Sequence, residues 1–158
     1  MKIILASDHA GFSMKKELAS HIAGIGHEIT DIGTHSEESA HYPIFGRLAA
    51  DKLAGGEADR AVLVCGTGIG MSLAANSVNG VRCVNCTEPY TALLSRRHNN
   101  TNALALGARV IGIELAKMIV ETWLEAGFEY DRHALRVDML TSMSEKPAPG
   151  GYSAPVTS

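Results

Sequence analysis

Cysteine occurs only three times in the 158 residues, so the thiols cannot all pair within one chain, and nothing marks the chain as secreted; reduced thiols are expected. An excess of charge of one sign is also lacking. Fourteen basic and 17 acidic residues give a net charge of -3 without a broad basic field, which argues against nucleic acid and anionic membrane surfaces as partners. Met1 to His9 reaches Asp8 too early for the apolar core of a signal peptide, and no later apolar run is long enough to span a bilayer. A cytoplasmic protein is expected, with one domain, since 46% hydrophobic and 20% charged residues over this length suffice for one core. The glycines at 66, 68 and 70 miss the G-x-G-x-x-G spacing of a dinucleotide site, and no Gly-Lys-Ser/Thr follows them, so a nucleotide P-loop is absent. Cys83 and Cys86 form C-x-x-C, but no second pair or paired histidines complete a zinc site, and the pair sits in a predicted strand; two inert thiols are expected.

What is present is concentrated at Ala61 to Ser72, where a continuous apolar run ends on Cys65 and glycines follow at every second position. Val62 to Val64 has the unbroken branched character of a parallel strand covered on both faces. The glycines allow positive φ and let a ligand approach the backbone, so successive N–H groups can face one concavity that suits negative charge. A helix from Met71 to Asn76 would add its N-terminal amides and favour a thiolate at Cys65. Glycines placed for packing, next to an inert buried cysteine, would give the same letters.

Around this turn the chain alternates. Strands are predicted at Lys2 to Ser7, Glu28 to Ile32, Arg82 to Asn85 and Ala103 to Leu106, besides the central one. Helices are predicted at Ser13 to Ile25, Pro43 to Ala54, after Thr87-Glu88-Pro89, with the Thr87 hydroxyl as cap, to about His98, Ile113 to Ala126 and Arg132 to Glu145. Residues 146–158, rich in Pro, Gly and Ser, read as a loose tail beyond a domain of residues 1–145. Five short strands alternating with helices predict a doubly wound α/β domain with a parallel sheet covered on both faces. Ligands in such sheets sit beyond the carboxyl ends of the strands, where Asp8-His9, Cys65 to Gly70 and Arg109 fall. His98 alone reads as a helix-terminal residue. Arg132 and Arg136, four apart, share a helix face that suits a phosphate or carboxylate, although a solvated face gives the same spacing.

Taken together, Asp8-His9-Ala10-Gly11, Cys65-Gly66-Thr67-Gly68-Ile69-Gly70, Glu88-Pro89-Tyr90, Ser95-Arg96-Arg97-His98-Asn99, Thr101-Asn102, Gly107-Ala108-Arg109, and Arg132-His133 through Arg136-Val137 resemble the type B ribose-5-phosphate isomerases from Met1 to about Met143. The resemblance implies a single Rossmann-like three-layer α/β/α domain whose C-terminal helix packs on a partner subunit, in a homodimer that can pair into a tetramer. It implies an aldose–ketose isomerase without metal or cofactor, interconverting ribose 5-phosphate and ribulose 5-phosphate. By the resemblance, Cys65 is the base that moves a proton between C1 and C2 through an enediolate, and the amides from Gly66 through Gly68 and Ile69 to Gly70 hold the oxyanion. His98, helped by Thr67, opens the sugar ring. Asp8 and Asn99 contact hydroxyls, and His9, Arg109, Arg132 and Arg136 clamp phosphate and sugar. Some members carry a glutamate after the last glycine and lack the cysteine; Met71 stands there in this chain, which points to the thiol version. Tyr42-Pro43-Ile44-Phe45-Gly46 is similar to the galactose-6-phosphate isomerase subunits, which keeps a six-carbon sugar phosphate (allose or galactose 6-phosphate) as the alternative substrate. A non-catalytic sugar-phosphate-binding module would need the amides and arginines but not Cys65.

Overall fold

The computed structural model describes residues 1–145, so the predicted tail lies outside the described residues. Five parallel strands form one sheet: β1 (Lys2–Ser7), β2 (Glu28–Asp31), β3 (Arg60–Cys65), β4 (Cys83–Asn85) and β5 (Ala103–Gly107), in the order β2-β1-β3-β5-β4. Six helices alternate with them or follow: α1 (Phe12–Gly24), α2 (Tyr42–Ala54), α3 (Ile69–Asn76), α4 (Pro89–Asn99), α5 (Ile113–Glu125) and α6 (Tyr130–Glu145). This is the expected Rossmann-like α/β/α arrangement.

Strand periodicity sorts the core into two layers. Ile3, Leu5, Val62, Val64, Leu104 and Leu106 face α1 and α5, where they meet Leu18, Ile22, Ile119 and Trp123. Their alternates Ile4, Ala6, Leu63, Cys65, Ala103 and Ala105 face α2 and α3, where Ala49, Ala50, Met71 and Ala75 pack. The alanines make this second layer thin, and Cys65 ends β3 on its side.

Strand order reverses direction between β1 and β3, whose register runs from Ile3 opposite Arg60 to Ser7 opposite Val64. Loops leaving these two carboxyl ends diverge, and a crevice opens between them. The turn after β1 lies directly on the end of β3: the Asp8 N–H donates to the Val64 carbonyl at 3.3 Å, and a Cβ on Gly11 would come within 2.5 Å of that oxygen. Only glycine fits at this approach.

Several helix starts differ from the sequence expectation; α3, for one, opens at Ile69, two residues before Met71. Helix α4 is capped by Glu88 and not Thr87, because the longer carboxylate reaches both the Tyr90 N–H (2.6 Å) and the Thr91 N–H (2.8 Å). Helix α6 begins two residues before Arg132, with a non-helical Asp131 (φ 31°, ψ -129°) breaking its first turn.

A buried cation ties the β2 end of the sheet to the loop beyond it. Lys15 is 0% exposed, and its Nζ donates to both carboxylate oxygens of Asp31 (2.6 and 2.7 Å) and to the Thr34 carbonyl (2.8 Å). Asp31 in turn accepts from the Gly33 N–H at 3.0 Å, so one pair fixes the exit of β2. Removing the ammonium strands a partly desolvated carboxylate. Lys15→Met should therefore lower the unfolding free energy by about 2–3 kcal/mol in urea titrations, and a loss below about 0.5 kcal/mol, the level of an ordinary surface change, would show that the pair holds nothing.

Candidate active site

The carboxyl edge of the sheet assembles three turns. At its centre the Cys65 side chain, 4% exposed, sits where β3 gives way to the glycine turn, and the Gly68 N–H donates to its Sγ at 3.2 Å. Gly68 makes this geometry with φ +79°, and a Cβ there would lie 2.2 Å from Oδ1 of Asn85. Gly68 is also the N-cap of α3, so Ile69, Gly70 and Met71 open the helix with amides that have no intrahelical partner. The Ile69 N–H leans on the Thr67 hydroxyl at 3.4 Å.

The flanking turns supply charge. The Ala108 N–H donates to the Cys65 carbonyl (2.8 Å) and the Arg109 N–H to the Gly66 carbonyl (3.0 Å), so the loop after β5 is laid along the glycine turn. The Arg109 side chain passes over Gly66, where a Cβ would meet its Cδ at 3.5 Å. From β1, buried Asp8 caps its own turn by accepting from the Gly11 N–H at 3.1 Å, and His9 places Nδ1 3.2 Å from the main chain of Ala40. Tyr42, two residues on, presses its ring against Gly70, where a Cβ would come within 2.7 Å of it. Asp8, His9, Cys65, Gly66, Thr67, Gly68, Ile69, Gly70 and Arg109 thus share one edge, as expected.

His98, Asn99, Arg132 and Arg136 occupy the opposite edge of the same chain. Helix α4 starts after the carboxyl end of β4 and runs back, so its last residues lie beside the amino ends of the strands: the Asn102 carbonyl accepts from Ala61 N–H at the start of β3, and its Oδ1 accepts from Arg82 N–H (2.7 Å) before β4. The six residues of β3 separate the edges by roughly 17 Å at ordinary strand rise. Here the His98 and His133 rings stack with centroids 4.2 Å apart and planes 7° apart. Glu129 pairs with Arg97 and lies 3.6 Å from the His98 Nε2. Arg132 and Arg136 stand exposed on α6 beside this stack.

His133 and Glu129 were not singled out from the sequence. His133 is 5% exposed, and its Nε2 is buried with no hydrogen-bond partner, a state that calls for a polar ligand. The only local signal was its place between two arginines. His98, Glu129 and His133 offer ligand atoms within 4.8 Å of one another, a spacing open to a metal ion. The ring planes are parallel and separated, however, and a metal binds an imidazole nitrogen in the plane of its ring, so no single point serves both rings as they stand. The surrounding arginines also favour an anion. The C-x-x-C thiols are suppressed: burial, and then Cys86 nearby, pushes Cys83 up to about 12, and burial raises Cys86. Both stay protonated near neutral pH.

Against known proteins, residues 3–140 match the family described as Ribose/Galactose Isomerase. The chain belongs to that family. It is 49% identical over 145 residues to ribose-5-phosphate isomerase B of Escherichia coli, covering 92% of this chain and 97% of that protein. A galactose-6-phosphate isomerase subunit of Clostridium acetobutylicum is 39% identical over 82% of this chain and 75% of its own length. Among solved structures, ribose-5-phosphate isomerase B of Clostridium thermocellum superposes with a TM-score of 0.90 at 48% identity, over 92% of this chain and 98% of that one. The chain is therefore an isomerase of this family, and the crevice at the carboxyl edge is its candidate site. Among the described residues, no helix is long and apolar enough to cross a membrane.

The histidine stack has a measurable signature. Burial first, and then the neighbouring His98, Arg132 and Arg136, lower the His133 pKa from its ordinary 6.5. As pH falls through 6.5 the unfolded chain takes up this proton before the folded one does, so the contribution to stability is full above that pH and declines below it until the folded group also protonates. Urea midpoints measured from pH 8 to pH 5 should fall more steeply for the wild type than for His133→Gln, and parallel profiles would remove the assigned charge environment.

Proposed function

We propose that the chain interconverts ribose 5-phosphate and ribulose 5-phosphate through an enediolate, with Cys65 as the base. One observation carries this: a sulfur at the end of β3 that accepts an N–H bond from Gly68 and adjoins the first amides of α3, which have no partner within the helix. That arrangement joins a proton acceptor to an oxyanion cradle. In the open aldose, Cys65 takes the proton from C2 and returns it to C1, the O2 hydroxyl proton passes to O1 within the enediolate, and the amides from Gly66 to Gly70 receive the charge that builds on the carbonyl oxygen. Asp8 meets hydroxyls, and His9 and Arg109 meet the polar end of the substrate. The identity to ribose-5-phosphate isomerase B of Escherichia coli supports the five-carbon substrate. The likeness to a galactose-6-phosphate isomerase subunit, and the Tyr42 ring against Gly70, keep a six-carbon phosphate as the second reading.

Ring opening is assigned to His98 and the phosphate clamp to Arg132 and Arg136, with Asn99 on a hydroxyl. These residues lie at the amino edge, and a sheet of fixed strand length keeps them from their own Cys65. Two copies related by a two-fold axis bring the amino edge of one against the carboxyl edge of the other, completing two equal sites. Leu135, Met139, Leu140 and Met143 leave an apolar surface on α6 that suits such a contact. His133, with its unpartnered nitrogen, then joins the clamp.

Assays with ribose 5-phosphate beside six-carbon phosphates separate the two substrates. Cys65→Ala should lose about 10²–10⁴-fold in kcat while still binding a substrate analogue, and near-normal turnover would identify another base. Dissociating Cys65→Ala and Arg136→Ala proteins and reassembling them together should restore activity to at most about half per mixed dimer, because one site is then intact and one doubly damaged. Verified mixed dimers without activity would mean that each site is built within one chain.

A further inference from the structure

The turn that follows His98 and Asn99 is held by more buried polar contacts than a helix end requires. Asn100 closes α4 in the left-handed region (φ 48°, ψ 45°), a conformation costly for any residue with a Cβ and least so for asparagine. Arg96, 3% exposed, folds back beneath it: Nη1 donates to Oδ1 of Asn100 at 2.9 Å and to the main-chain carbonyl of Thr101. Arg82, just before β4, grips the same residue, its Nε donating to the Asn100 carbonyl at 3.0 Å. The Thr101 hydroxyl is wedged between Oγ of Ser95 and Nε1 of Trp123, each at 2.9 Å, and the Trp123 ring lies 6.0 Å from the Arg96 guanidinium.

This arrangement is expensive. None of Arg60, Arg82 and Arg96 makes an ion pair with a carboxylate among the described residues, and Nε of Arg96 is buried without a partner. Burial, and then the charges of Arg60 and Arg82, bring the Arg96 pKa down to about 10, so the group is still cationic at neutral pH. An apolar filling of the same volume would serve packing better than an unpaired buried charge. What the guanidinium offers is direction. Its two Nη1 hydrogens lie in a fixed plane, so two acceptors, one on a side chain and one on the backbone, are set relative to each other and to the Trp123 face.

We propose that Arg96 is a positioning residue of the isomerase, which fixes the left-handed turn at Asn100 and thereby the placement of His98 and Asn99 toward the substrate. This rests on the assignment of those two residues to the reaction. The same turn carries the strain and the grip, so the backbone can be tested apart from the side chain. Asn100→Gly and Asn100→Ala both lose the amide oxygen, but glycine adopts the left-handed conformation freely and alanine does not.

Kinetics of Arg96→Lys, Asn100→Gly and Asn100→Ala, with melting temperatures and circular dichroism on each, form the experiment. Arg96→Lys should lower kcat roughly 10–100-fold, the effect of an ångström-scale misplacement, with a smaller change in KM, and should shift the limb of the pH–rate profile that disappears in His98→Gln. Asn100→Gly should retain several-fold more activity than Asn100→Ala. Wild-type kcat and pH profile in Arg96→Lys overturn the proposal, as does equal loss in the two Asn100 variants. The Asn100 pair gives the answer if Arg96→Lys fails to fold. Wild-type turnover in His98→Gln would instead refute the assignment of His98, a result distinct from these.

Discussion

The close approach of the β1 turn to the end of β3 is the constraint from which the carboxyl edge is built. Gly11 sits so near the Val64 carbonyl that no side chain fits between them. That contact places Asp8 and His9 beside Cys65 instead of above the helix layer. Parallel order does the rest: with β5 on the other side of β3, the Arg109 turn is laid along the glycine turn by two main-chain bonds. Catalytic geometry here is backbone geometry. The groups that would touch a substrate are held by strand register and by amide–carbonyl bonds, and long flexible side chains contribute little to the frame.

A second consequence of parallel topology is less obvious. Every helix in such a sheet returns the chain to the amino edge, so residues at helix C-termini are carried a full strand length from residues at strand C-termini. His98 and Asn99 end α4, and the turn just beyond them is held by buried Arg96, Thr101 and Trp123. The molecule therefore has two polar centres at opposite ends of one sheet. The thin alanine-lined layer beneath α2 and α3 lies between them and carries no charge.

Much of this was legible in the residues. Short apolar runs marked the five strands, and apolar spacing, capping residues or paired arginines marked the helices. The glycine turn was legible because φ +79° at Gly68 and the tight approach of Asn85 leave no other residue type. Which edge each candidate occupies could be worked out only for turns that leave strands. His98, Arg132 and Arg136 sit on helices, whose spacing reports a shared face but not where that face lies. His133 and Glu129 were missed because their significance is a burial and a contact, and neither has a letter. The Glu88 cap was misjudged because Thr87 offers the more familiar hydroxyl one position earlier; carboxylate reach decided it.

The loop between β2 and α2 enters the crevice already ordered. Lys15 and Asp31 hold its first residues, the His9 ring holds Ala40, and Tyr42 rests on Gly70. A loop left slack would have to lose its conformational freedom when a ligand arrived, at about 1–2 kcal/mol for each residue fixed. A sugar phosphate is small and makes few contacts, so that loss would consume much of its affinity. Here the ordering is completed during folding, with a buried ion pair at the start of the loop. The strength with which such a small molecule can be held is thus set partly at the far end of the loop, by a lysine with no solvent exposure.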